Sequence, residues 1–218
     1  MNLALDVSTS ITGWCLTDDN DPSILLYGAW YMKNKNKYDD VFEKGQYIES
    51  ELENIKKQYK ITKILIEAPF IAFGGGNSSA QTVATLQRFN GIVSYASYKV
   101  FEIKPDYIGV KEARKLVGIK NAKGKDAKKT VVKFLLDTEP RFVVEYTKQG
   151  NVSPRFIDMA DAIVLAKSLE HIPKNAEEKQ SGPDRVKSSK ALVSELAQTD
   201  NGHGLCVKNK KKNKSLTK

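Results

Sequence analysis

Apolar and polar positions along the chain fall into two periods. Leu3–Val7 and Ile11–Thr17 are short apolar runs parted by small hydroxylated residues, and they predict two strands. The polar cluster Asp18–Pro22 predicts a turn, and Ile24–Met32 a third strand. Val41, Gly45, Ile48, Leu52, Ile55 and Tyr59 then recur at helical spacing, which predicts an amphipathic helix from about Tyr38 to Tyr59. Lys63–Pro69 is nearly all apolar, as expected of a strand buried on both faces. It carries Glu67 at its end, and Pro69 stops it.

A glycine-rich loop, Phe73–Gln81, leads into a second helix that runs to about Tyr98, with Ser78 or Ser79 as its N-cap. Val100–Pro105 reads as a further strand. Pro105–Val117 and Lys125–Asp137 read as short helices, and Phe142–Tyr146 as an inserted strand. Asn151–His171 reads as a final helix, with Pro154 in its first turn. Three strands, helix, strand, helix, strand and helices imply an α/β fold: a mixed five-stranded sheet with helices on both faces. After Ile172 the apolar content collapses. Residues 173–218 are expected to form a basic, disordered tail behind a folded domain of residues 1–172.

Composition narrows the class. The chain has 218 residues, 40% hydrophobic, enough to bury a core. A formal net charge of +9 favours an anionic partner, nucleic acid above all. Cys15 and Cys206 form no CxxC pair and no cluster with His171 or His203, which argues against zinc and against a disulfide scaffold. No apolar run approaches the roughly 20 residues of a membrane span, and the N-terminus has no signal-peptide pattern. The expectation is a cytoplasmic protein with no membrane partner.

The acids carry the chemistry. Asp6 ends the first strand and Glu67 the fourth. Ligand sites in open α/β sheets form at such strand ends. Asp158 and Asp161 lie at i and i+3, on one face of an otherwise small and apolar helix. Each acid alone has a plain explanation: a turn, an ion pair, a helix-dipole contact. Together they offer four hard oxygen donors and no histidine, a set suited to Mg²⁺ or Mn²⁺. Two such ions can support phosphodiester hydrolysis.

Leu3–Leu16, "ILIEAPF" (Ile64–Phe70) and "DMADAIVLA" (Asp158–Ala166) resemble the three acidic motifs of RuvC-type Holliday-junction resolvases, members of the RNase H-like superfamily. The resemblance spans roughly Asn2–His171, and the Ser/Thr-rich first motif is similar to that of phage members. It implies that Asp6, Glu67, Asp158 and Asp161 are both catalytic and metal-binding, holding two Mg²⁺ ions that Mn²⁺ can replace. Where many relatives have a glycine after the first acid, this chain has Val7-Ser8.

The resemblance also implies DNA contacts. Phe70, three residues after Glu67, matches an aromatic that wedges into the junction, where stacking is worth about 1–3 kcal/mol per base. The Lys-rich stretch Val110–Lys129 is similar to the family's basic segment. Lys111 matches its first lysine, and Lys123, Lys125 or Lys128 its second. Lys120 and Lys129 add to the same phosphate-binding surface. The implied activity is paired phosphodiester cleavage of Holliday junctions or related branched DNA by a Mg²⁺-dependent homodimer acting in recombination and repair. Two alternatives remain: an RNase H-like nuclease that processes RNA, and an actin-like nucleotide-binding protein. The second would need a duplicated domain for which this chain is too short.

Overall fold

The computed structural model describes residues 1–18, 20–21, 24–34, 37–69, 79–120 and 126–172. The expected tail 173–218, Phe70, expected as a wedge, and the expected DNA contacts Lys123 and Lys125 lie outside the described residues.

Five strands form one sheet: β1 (Asn2–Asp6), β2 (Ile11–Thr17), β3 (Ile24–Tyr31), β4 (Lys63–Glu67) and β5 (Asp106–Ile108). Their order is β3-β2-β1-β4-β5. The first three make an antiparallel meander, and β4 and β5 run parallel to β1. Side chains alternate across such a sheet. Leu3 and Leu5 therefore face one way with Ile64 and Ile66, while Ala4 faces the other way with Leu65. The first face packs on α1 (Val41–Gln58) and α2 (Ala80–Phe101) through Ile48, Leu52, Phe89 and Val93. The second packs on α3 (Val110–Leu116), α4 (Asp126–Thr138) and α5 (Pro154–Ser168). On that side small residues meet small residues: Ala4 and Cys15 of the sheet against Ala160, Ala162 and Ala166 of α5. The helix backbone can then lie close to the sheet. This is the RNase H-like arrangement expected from the sequence.

Helix starts follow their caps. Asp40 accepts from the backbone N–H groups of Phe42 and Glu43 at 2.7 and 3.0 Å, and Ser79 accepts from Thr82 at 3.2 Å. Pro154 opens α5, in keeping with its place in the sequence.

The region between α2 and α4 corrects the sequence reading. Val100–Pro105 is not a strand. Val93, Ala96 and Val100 continue the buried stripe of α2, which runs to Phe101 and ends at Glu102 in the left-handed region (φ 60°). Side-chain packing overrides the β propensity of the local sequence. The fifth strand is Asp106–Ile108, inside the segment Pro105–Val117 expected as a helix, and α3 occupies only the second half of that segment. Phe142–Tyr146 contributes one isolated bridge, Tyr146 to Val152. Among the described residues, no helix is long and apolar enough to cross a membrane.

Candidate active site

Strand alternation decides where the acids point. Asp6 is two residues past Ala4, and Glu67 two past Leu65, so both belong to the face covered by α5. The β1–β4 register pairs Leu5 with Ile66, which sets Asp6 beside Glu67 at the ends of neighbouring parallel strands. The Glu67 carboxylate stands close enough to Asp6 to push its carboxyl toward the protonated form.

On the other side of β1, Asp6 pairs with Gly13 of β2. A Cβ built on Gly13 would stand 2.2 Å from the carbonyl oxygen of Asp158. Only glycine lets α5 come this near, and that approach brings its two acids over the strand ends. Asp158 is half-buried and Asp161 buried. All four acids therefore gather in one region. Burial pushes the Asp6 carboxyl well above the usual carboxylate range. The hydrogen bond with Glu67 and the charges of Glu67, Asp161 and Asp158 push the same way. Asp158 is also raised by burial. Lys128 opposes that shift and Asp161 adds to it.

The turn after Asp6 is held by its hydroxyls. The Ser8 Oγ accepts from the backbone N–H groups of Ser10 and Ile11, and the buried Thr12 Oγ1 donates to the Ser8 carbonyl at 3.2 Å. Lys44 of α1 donates to the Thr9 carbonyl at 2.7 Å. No residue of this turn has positive φ, so Val7-Ser8 replaces the glycine of related motifs without backbone strain.

Two further residues belong to the site although the sequence does not single them out. Asn90, buried in α2, donates from Nδ2 to the Glu67 carbonyl at 3.0 Å and fixes the end of β4. Its one signal is a polar residue on the apolar stripe shared with Val93 and Ser97. Arg114 of α3 donates from Nη2 to Asp161 Oδ1 at 2.7 Å. It stands within the basic segment, but nothing in the spacing pairs it with Asp161.

Lys128 of α4 lies 3.6 Å from Asp158 Oδ1, so one expected DNA contact reaches the acids themselves. Lys111, Lys120 and Lys129 are exposed on or beside α3 and α4.

The donor types suit a hard divalent cation, since all are carboxylate oxygens. As the side chains lie, however, no three acids, histidines or cysteines among the described residues stand together in a metal-enclosing group. Asp161 is turned to Arg114, Asp158 to Lys128, and Asp6 to Glu67. Each carboxylate already has a partner from the protein.

No protein-family model matches the sequence, and no curated protein matches it. Among solved structures, Thermus thermophilus RuvC in complex with a Holliday junction substrate is similar, with 11% identity and a TM-score of 0.52 over 77% of this chain and 90% of that one. The yeast mitochondrial Holliday junction resolvase Ydc2 is similar over 81% of this chain and 83% of its own, with 13% identity and a TM-score of 0.52. At such identities the likeness establishes the fold: this chain has the RNase H-like architecture of those proteins.

Proposed function

We propose that this chain is a metal-dependent endonuclease that cuts Holliday junctions or related branched DNA by paired phosphodiester cleavage. The observation that carries the reading is the gathering of Asp6, Glu67, Asp158 and Asp161 where two parallel strand ends meet α5. RuvC and Ydc2, which share the fold, are Holliday-junction proteins.

Those four carboxylates would hold Mg²⁺, or Mn²⁺ in its place, and two ions suit the number of donors. When bound, the ions supply positive charge for the pentavalent phosphate and acidify water. Cations bound there would offset the mutual repulsion that raises the Asp6 carboxyl. Asn90 keeps Glu67 at the strand end, and Gly13 keeps Asp158 close. The exposed Lys111, Lys120 and Lys129, with Lys128 at the site's edge, bind backbone phosphates without reading sequence. In the same reading Phe70 stacks on an opened base, Lys123 and Lys125 bind phosphates, and the basic residues 173–218 add nonspecific attraction to DNA for the nuclease domain 1–172.

A homodimer would place two such sites on one four-way junction. Ala84, Arg88, Gly91, Tyr95 and Tyr98 are exposed at successive helical turns of α2. This stripe, with two uncovered aromatics, suits a second copy of the chain.

The test is a labelled synthetic four-way junction incubated with the full-length protein, with Mg²⁺ and with EDTA. Flap DNA and structured RNA are run alongside. Symmetric nicks in the junction that need metal, and vanish in Asp6→Asn, are expected. Cleavage of RNA alone, or none of any substrate, would overturn the reading.

A further inference from the structure

The Arg114–Asp161 contact lacks the marks of a purely structural ion pair. It is largely withdrawn from solvent: the two side chains keep 15% and 8% of their exposure. A committed buried arginine ordinarily grips a carboxylate through two parallel N–H groups and satisfies its Nε as well. Here one hydrogen bond is made, from Nη2 to Oδ1, and the buried Nε has no partner among the described residues. The guanidinium is therefore held to the site by a single oxygen. Its partner is one of four carboxylates that would otherwise repel one another in the absence of a cation. Lys128 does the same, more loosely, for Asp158.

We propose that Arg114 is a built-in counter-cation: its guanidinium holds Asp161 while the acid cluster is empty of metal, must leave that oxygen for a divalent ion to bind, and so sets the metal concentration at which the site fills. This rests on the acid cluster being the metal site. Arg114 is a positioning residue here, acting through Asp161. Two like-signed cations close together in a poorly solvated site repel strongly, so removing one strengthens binding of the other.

The test is calorimetric titration of the full-length protein with MnCl₂ at physiological ionic strength, without DNA. Arg114→Gln should bind Mn²⁺ at least about tenfold more tightly than wild type. Arg114→Lys, which keeps the charge, should stay near wild type. The Mg²⁺ concentration needed for half-maximal nicking should fall in Arg114→Gln as well. Equal or weaker Mn²⁺ binding by Arg114→Gln would overturn the proposal and make Arg114 a support for the metal ligand instead. Asp6→Asn and Asp161→Asn separate the two levels: if both bind Mn²⁺ like wild type, the acid cluster is not the metal site and the functional reading fails too. Should Arg114→Gln not fold, the wild type still answers through the Arg114 Nε–Hε resonance in a Mg²⁺ titration. The resonance is expected to move as the site fills, and an unmoved resonance would count against displacement.

Discussion

Gly13 and Asp158 touch where strand and helix have no room for a side chain: a Cβ on Gly13 would lie 2.2 Å from the Asp158 carbonyl oxygen and 2.7 Å from its carbon. Gly13 is also the cross-strand partner of Asp6. One residue therefore fixes the spacing between the acid on β1 and the acids on α5.

Gly13→Ala tests that spacing directly. The obstacle is backbone on both sides, so no flexible side chain can yield, and α5 must move. A stability loss of about 1–3 kcal/mol is expected in thermal melts. Metal-dependent nicking should fall by more than the unfolded fraction accounts for, since Asp158 and Asp161 shift together. A variant that melts lower yet nicks at the wild-type rate per folded molecule would show that the close approach serves stability alone.

What is legible in the sequence follows from where local signals agree with tertiary ones. Asp6 and Glu67 are readable because each ends an apolar strand, and Asp158 and Asp161 because i and i+3 share a helix face. Val100–Pro105 misleads because its Val, Phe and Ile favour a strand locally, while the stripe it shares with Val93 and Ala96 keeps it in α2 as far as Phe101. Arg114 and Asn90 are invisible as site residues because their partners are 47 and 23 residues away in the chain. Only the sheet order brings them together.

Asn90 gives a second test. Its Nδ2–H supplies a half-buried hydrogen bond to the Glu67 carbonyl, and its own Oδ1 is within reach of the Ser94 hydroxyl. Asn90→Ala should cost about 1 kcal/mol, because the half-buried Glu67 carbonyl loses this donor. Asn90→Asp should cost more than Ala, since an ionised carboxylate would face a carbonyl oxygen. Both should raise the Mg²⁺ requirement for nicking by loosening Glu67. Equal melting of Ala and Asp variants in chemical denaturation would argue that the amide does not orient the strand end.

The exposed lysines predict a salt signature rather than sequence preference. Removing one lysine from a phosphate should lower the slope of log binding constant against log salt by about 0.9 on duplex arms. Lys111→Ala and Lys129→Ala should each weaken junction binding similarly across sequences and flatten that slope, as read by fluorescence anisotropy at several salt concentrations. Lys128→Ala should differ from both, because Lys128 also faces Asp158. Its removal is expected to alter the Mg²⁺ dependence of cleavage as well as binding.

The last prediction concerns Asp6 and pH. Burial, then the hydrogen bond and charge of Glu67, then Asp161 and Asp158, hold its carboxyl well above the usual range. An unfolded aspartate titrates near about 3.9. With the folded value raised, the stability contributed by protonated Asp6 is full below that unfolded value and is lost as pH rises through the folded one. Asp158 is raised too, so it adds to the slope in the same sense. In EDTA, wild type should therefore lose stability on going from mildly acidic to neutral pH more steeply than Asp6→Asn, whose amide carries no charge at any pH. At pH 8 the Asn variant should melt at least as high as wild type while failing to nick a junction it still binds. Mg²⁺ should raise the wild-type melting temperature and leave the variant's nearly unchanged. If wild type melts clearly above Asp6→Asn at pH 8 without metal, Asp6 is stabilising the fold as a charge, and its place in a strained acid cluster is wrong.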